Sequence, residues 1–267
     1  MSDILLPKII GDNIWQIEGP ANDLMYLVLG EQKAMLVDTG MGIGNLLLEV
    51  RKITSLPLIV INTHGHPDHA GGNGQFPQAW FPMKDFEIMN TMCTNDFRIS
   101  DIHNIIQAGE EKEACFINAL VNYKEIELLP YEYRSEFDLG DRKFTAVEIP
   151  GHTPGSMGLY SQNEKILFAG DSIVNSPVWM HIPVSLSLQT YYLFLVHLRE
   201  VTRGVKTIFT GHLPTLAKPE LLDDLISCAH EILKNPGIGE VTNTFAGEGL
   251  LWTHGLGNII YNPKKII

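Results

Sequence analysis

One stretch constrains this chain more than any other: Thr63-His-Gly-His-Pro-Asp-His69 follows directly on the apolar run Leu58-Ile-Val-Ile-Asn62. Three imidazoles and a carboxylate fall within six residues, although the whole chain has only 10 histidines in 267 residues. The run before them, flanked by Pro57, reads as a buried strand, so the cluster belongs to a loop at the mouth of a strand. Gly65 frees the backbone there and Pro67 stiffens it, which turns the side chains inward together. Imidazole suits zinc, iron and similar metals, and carboxylate adds a harder oxygen ligand. By alternation His64 and His66 face one side and Asp68 with His69 another, a pattern for two neighbouring metal ions rather than one crowded ion.

Three more polar residues sit where strands are expected to end. His152 lies in Pro150-Gly-His-Thr-Pro-Gly155, Asp171 in Phe168-Ala-Gly-Asp171 and His212 in Thr210-Gly-His-Leu-Pro214, each preceded by glycine. Any one alone reads as a turn or capping residue. Their recurrence beside the histidine cluster makes a constellation.

The rest of the chain alternates strands and helices. Strands are expected at 14–17, 25–29 and 34–38, a helix at 44–53, and strands again at 142–149, 157–160, 165–169 and 205–210. Between them, 81–133 is helical in pattern and reads as an inserted layer near the site, a candidate lid. Further helices are expected at 187–202 and 218–234, the latter with Pro219 in its first turn and Asn235-Pro-Gly237 as its stop. The tail over 249–262 alternates like a hairpin around Gly255. Hydrophobic residues at 45% and charged residues at 19% supply a core for one folded domain over 1–267, with the last helix and hairpin over about 215–267. The expected class is α/β, two mixed sheets packed face to face with helices outside.

With 19 Lys and Arg against 31 Asp and Glu, a net charge of -12 argues against nucleic acid or an anionic membrane as partner. Cys93, Cys115 and Cys228 are too sparse for a disulfide framework and read as free thiols. No run resembles a signal peptide or spans a bilayer, so a cytoplasmic location is expected. The glycines in Asp38-Thr-Gly-Met-Gly-Ile-Gly44 miss the G-x-G-x-x-G spacing and read as a tight turn before a helix.

Taken together, Asp38-Thr-Gly40, His64-Gly-His66-Pro-Asp68-His69, Gly151-His152, Gly170-Asp171 and Gly211-His212 resemble the metallo-β-lactamase fold hydrolases, a superfamily that includes glyoxalase II and the acyl-homoserine lactonases. The resemblance runs from about 14 to 212. It implies a four-layer αβ/βα sandwich with a dinuclear metal site along one edge. It further implies that His64, His66 and His152 hold one ion, Asp68, His69 and His212 the other, and that Asp171 bridges both. Asp38 resembles the family's supporting carboxylate, with a plain turn residue as the alternative.

Such a site uses two divalent ions, zinc first with iron or manganese as alternatives, to make a bridging hydroxide that attacks a carbonyl or phosphoryl centre. Asp68 is then the candidate catalytic acid for the leaving group. True β-lactamases of the family lack the aspartate seen here as Asp171, which argues against antibiotic hydrolysis. Glyoxalase II resembles the run ending Asp68-His-Ala-Gly-Gly-Asn73, but its last histidine precedes an acidic-aromatic pair where this chain has Leu213-Pro214. Persulfide dioxygenases, flavodiiron proteins and the nucleic-acid-processing members depart further. The resemblance therefore implies a hydrolase of a small ester, lactone or thioester. The alternatives are a phosphodiesterase on a small organic phosphate and a non-hydrolytic di-iron or sensor protein. Trp179, His181, Tyr191 and Tyr192 follow Asp171 closely and are candidates to contact substrate. An apolar lid and an exposed hairpin also admit a homodimer.

Overall fold

The computed structural model describes residues 4–105 and 110–267, and within it the chain divides into two compact units. The first comprises Met1–Tyr131 with Glu136–Lys143, and the second Glu132–Ser135 with Phe144–Ile267.

The first unit opens with β1 (Leu6–Gly11), β2 (Ile14–Glu18), β3 (Leu24–Leu29) and β4 (Ala34–Val37), an antiparallel meander. Helix α1 (Leu46–Ile53) then crosses to β5 (Leu58–Ile61), which pairs with β4 in parallel. Asn45 caps α1 by accepting the Leu48 N–H at 2.9 Å. After a single helical turn, α2 (Pro67–Ala70), come β6 (Gln78–Phe81), helices α3 (Phe86–Met92), α4 (Asn95–Ile105) and α5 (Glu110–Ala119), and β7 (Glu127–Pro130). The seven strands form one mixed sheet in chain order. Leu27, Leu36, Val60 and Ala79 build its core with Val50 of α1. Within 81–133 the described residues form α3, α4 and α5, and the last part returns to the sheet: Gln78–Phe81 and Glu127–Pro130 pair in parallel. A short strand, β8 (Glu136–Asp138), completes the unit.

The second unit contains β9 (Lys143–Glu148), β10 (Met157–Ser161), β11 (Ile166–Phe168) and β12 (Val178–Met180), then helix α6 (Leu188–Val201). It continues with β13 (Thr207–Phe209), β14 (Leu216–Ala217), α7 (Glu220–Lys234), β15 (Glu240–Thr244), β16 (Gly247–His254) and β17 (Gly257–Tyr261). Five of these strands run in the order β14-β13-β11-β10-β9, with β11 and β13 parallel. The expected hairpin around Gly255 is present as β16 and β17, and it belongs to a separate sheet, β12-β17-β16-β15. Helix α7 buries Leu221, Leu222, Leu225, Ile226, Ala229 and Ile232 on one face, three or four residues apart. That stripe shares a core with Leu195 and Leu198 of α6 and Ile259 of β17.

No helix among the described residues is long and apolar enough to cross a membrane. All three thiols are free, Cys93 and Cys228 buried and Cys115 exposed. Burial pushes the Cys93 and Cys228 thiols up to about 12, so neither forms thiolate at neutral pH. Iodoacetamide at neutral pH should therefore alkylate Cys115 alone in the native protein and all three thiols in urea. Mass spectrometry showing native labelling of Cys93 or Cys228 would contradict this packing.

Candidate metal centre

Strand direction decides where the polar residues gather. Because β4 and β5 are parallel neighbours, with Val37 opposite Ile61, the residues that follow them emerge at the same edge. Asp38 follows β4 and Thr63 lies two residues beyond β5. The Asp38 N–H donates to the Ile61 carbonyl at 2.8 Å, and Asp38 takes a left-handed φ of 62° that turns its carboxylate toward the histidine loop.

That carboxylate is buried and accepts three hydrogens. Oδ1 takes the Thr63 N–H at 2.7 Å, while Oδ2 takes the Thr63 hydroxyl at 2.8 Å and His69 Nδ1–H at 2.9 Å. The chemistry propagates outward. Thr63 has spent its one hydroxyl hydrogen on Asp38, so its oxygen accepts from His64 Nδ1–H at 3.1 Å. Both His64 and His69 are thereby held as tautomers that carry the lone pair on Nε2, the form a metal requires. His64 Nε2 stands 3.1 Å from His66 Nδ1. Two nitrogens bound to one tetrahedral zinc lie roughly 3.3 Å apart, so this pair is spaced as ligands of a common ion.

His66 caps α2, and Pro67 sets its first turn. The turn sends Asp68 and His69 back over the loop, with His69 Nε2 and Asp68 Oδ2 separated by 3.8 Å. Gly65, between the first two histidines, gives its N–H to the buried Asp85 carboxylate at 3.0 Å. A Cβ there would meet the Asp85 carbonyl oxygen at 2.7 Å, so only glycine fits. Under the loop, Asn62 donates to the His69 carbonyl at 2.9 Å, Asn73 donates to Asn62 Oδ1 at 2.8 Å, and the Tyr131 hydroxyl donates to the Asn62 carbonyl at 2.6 Å.

Arg98 of α4 is fully buried and clamps the same region. Its guanidinium donates to the carbonyls of Met41 and Gly71, both at 3.0 Å, to Val121 at 2.8 Å and to Asn95 Oδ1 at 2.9 Å. Gly71 ends α2, so a cation meets the carbonyl end of the turn that carries Asp68 and His69. Burial lowers the Arg98 pKa from its ordinary value, and carbonyl oxygens in place of a carboxylate satisfy the charge.

The second unit repeats the construction. Parallel β11 and β13 bring the loops after Phe168 and Phe209 together, the Gly211 N–H donating to the Gly170 carbonyl at 2.9 Å. His212 Nε2 lies 3.1 Å from Asp171 Oδ2. His152 follows β9, which runs in the same direction as β11, and donates Nδ1–H to the Trp179 carbonyl at 2.9 Å. Its Nε2 therefore bears a lone pair and faces Asp171 Oδ2 at 3.7 Å. A lone pair facing a carboxylate calls for a cation, metal or proton, between them. His64, His66, Asp68 and His69 of the first unit and His152, Asp171 and His212 of the second are members of groups that could hold metal ions.

The four substrate candidates separate. Tyr191 packs in the core: it is 0% exposed, its hydroxyl donates to the Ser172 carbonyl at 2.6 Å, and its ring fills the space a Cβ on Gly151 would need. It braces the His152 and Asp171 loops from beneath. Tyr192 stacks on His230 at 5.7 Å, packing α6 on α7. Trp179 and His181 stay beside His152, with ring centroids 5.4 Å apart. Asp85, Arg98, Asn62 and Tyr131 were not foreseen. Asn73 stood within a motif already noted.

A family model of the metallo-beta-lactamase superfamily matches residues 19–84 and 120–227, more than half of the chain, and the chain belongs to that superfamily. It is 27% identical over 266 residues to the acyl-coenzyme A thioesterase MBLAC2 of Homo sapiens, covering 91% of this chain and 92% of that protein. The hydroxyacylglutathione hydrolase GloC of Haemophilus influenzae is 25% identical over 142 residues, 53% of this chain and 61% of its own. Among solved structures, a metallo-beta-lactamase from Pontibacter korlensis is similar with a TM-score of 0.62 and 16% identity, over 85% of this chain and 99% of that one. That likeness shows the α/β fold.

Asp38→Asn preserves shape but sets an NH2 against a donor whichever way the amide turns. Zinc affinity, measured by competition with a chromophoric chelator, should fall about 10- to 100-fold. Unchanged affinity would mean that Asp38 does not orient His69.

Proposed function

We propose that this chain is a dinuclear-metal hydrolase of small esters and thioesters, with thioesters preferred. One ion would be held by His64, His66 and His152 and the other by Asp68, His69 and His212, with Asp171 between them. The observation that carries the reading is the tautomer lock: His64, His69 and His152 each spend Nδ1–H on a protein oxygen and keep Nε2 for a cation. A nitrogen-rich set with two carboxylates fits zinc, and iron or manganese also suit it. Divalent ions bound there supply a nucleophile at neutral pH and Lewis acidity toward a carbonyl oxygen.

The remaining work falls to protein groups. Asp68 is partly exposed, with its side chain 18% accessible, so it can exchange protons with substrate and solvent. It would take the proton released by the attacking water and pass it to the departing thiol or alcohol. Asp38, Thr63 and Asp85 hold the first histidine loop rigid, and Tyr191 and Ser172 hold the second set. Neither buried thiol enters as a nucleophile, since both are held protonated. The thioester preference follows the names of the relatives that span most of the chain, and a cytoplasmic location accords with the three free thiols.

Purified protein assayed on thioesters, p-nitrophenyl esters, lactones and bis-p-nitrophenyl phosphate should turn over thioesters fastest. Activity should vanish with dipicolinate and return with zinc, while His66→Ala and Asp171→Ala should lose metal and at least about 100-fold in kcat/KM. Full activity in the chelated protein, or phosphodiester turnover above thioester turnover, would overturn the proposal.

A further inference from the structure

The turn between β15 and β16 carries an exposed aromatic ring that is held in place by an unusual number of polar contacts. Phe245 is 54% exposed, yet its ring meets Trp179 edge to face at 5.1 Å. The neighbouring Thr244 hydroxyl donates to the Gly247 carbonyl at 3.1 Å and accepts the Ala246 N–H at 3.1 Å. Its hydrogen being spent, it also accepts from His181 Nε2–H at 2.8 Å. His181 is thus held to the turn through Nε2–H, and its Nδ1 is buried.

The pinned turn thus fixes Phe245 over Trp179, and the carbonyl of Trp179 is the group that orients His152. An apolar platform of two aromatic rings stands one residue away from a proposed metal ligand. Its chemistry is poor in cations: neither 171–198 nor 235–263 contains a lysine or arginine, the charged side chains there are the carboxylates of Asp171, Glu240 and Glu248, and the nearby Lys265 ammonium is tied to the Pro183 and Ser185 carbonyls. A phosphate-bearing group would find no cation from these segments, whereas an alkyl chain would gain by covering two rings otherwise wetted.

We propose that Trp179 and Phe245 form the subsite for the apolar acyl chain of the substrate, with His181 and Thr244 as positioning residues for Phe245. The inference rests on the hydrolase reading above and adds the substrate class: esters or thioesters of medium- to long-chain acids. His181 thereby changes from substrate contact to pin.

The test is an acyl series, acetyl to decanoyl, on one small thiol, N-acetylcysteamine. In the wild type kcat/KM should climb with chain length by up to about fourfold per buried methylene, expressed in KM. Phe245→Ala should lower the decanoyl-to-acetyl ratio at least about tenfold. His181→Phe should lower it too, while His181→Gln, which keeps a donor for Thr244, should restore part of it. Metal content and thermal midpoint, measured on each variant, should stay at wild-type values. A flat series in an active wild type, or a ratio unmoved by Phe245→Ala, overturns the subsite. If no member of the series is turned over, the hydrolase reading fails, and the subsite is then judged by tryptophan fluorescence. Decanoate should quench the wild type and Trp179→Phe much less, and quenching by coenzyme A alone that depends on Phe245 would assign the platform to a nucleotide and reject the acyl chain.

Discussion

The Asp38 carboxylate is the interaction on which the histidine loop depends. It is buried in a setting where an uncompensated charge would cost several kcal/mol, and three hydrogens from Thr63 and His69 compensate it. Those same three bonds decide which imidazole nitrogens face outward. Structural satisfaction and ligand chemistry are therefore one arrangement: the His69 hydrogen that helps make the buried carboxylate tolerable sits on Nδ1, which leaves the Nε2 lone pair for a metal, and the Thr63 hydroxyl hydrogen spent on Asp38 makes Thr63 accept from His64 Nδ1–H. Parallel pairing of β4 and β5 makes the contact available, since it delivers residues 25 apart in sequence to one sheet edge.

The second unit solves the same problem with neutral groups. His152 is oriented by a backbone carbonyl instead of a carboxylate, and Tyr191 replaces the polar network as the buried strut. A tyrosine serves because its ring packs in the apolar core while its hydroxyl reaches one carbonyl of the loop above. The difference leaves Trp179 tied to the site through its main chain, which frees its ring for the Phe245 platform.

Much of the centre was legible in the sequence because its parts are local. Histidine and aspartate at the ends of apolar runs, each near a glycine, mark strand-to-loop transitions without any knowledge of packing. The supporting groups were illegible for the opposite reason. Arg98 acts on Gly71 from 27 residues away and on Met41 from 57, and it sits in a helical stretch whose polar pattern shows no sign of burial. Asp85 reads as an ordinary helix-start residue until the fold sets it under Gly65. Tyr191 looked like a pocket residue because it follows Asp171 in the chain, but helical periodicity turns it inward and Tyr192 toward α7. The third sheet was hidden because Val178–Met180 is only three residues long and pairs with a strand some 80 positions later. A hairpin shows in the local pattern, and a long-range parallel pairing does not.

The central claim is that two groups of locked imidazoles and carboxylates hold two ions. Anomalous diffraction from crystals of the protein as purified, collected on both sides of the absorption edge of the bound metal, tests it most directly. The account predicts two peaks a few ångströms apart, one against His64, His66 and His152 and the other against Asp68, His69 and His212, with Asp171 reaching both. A single peak, or peaks bonded to other side chains, would contradict it.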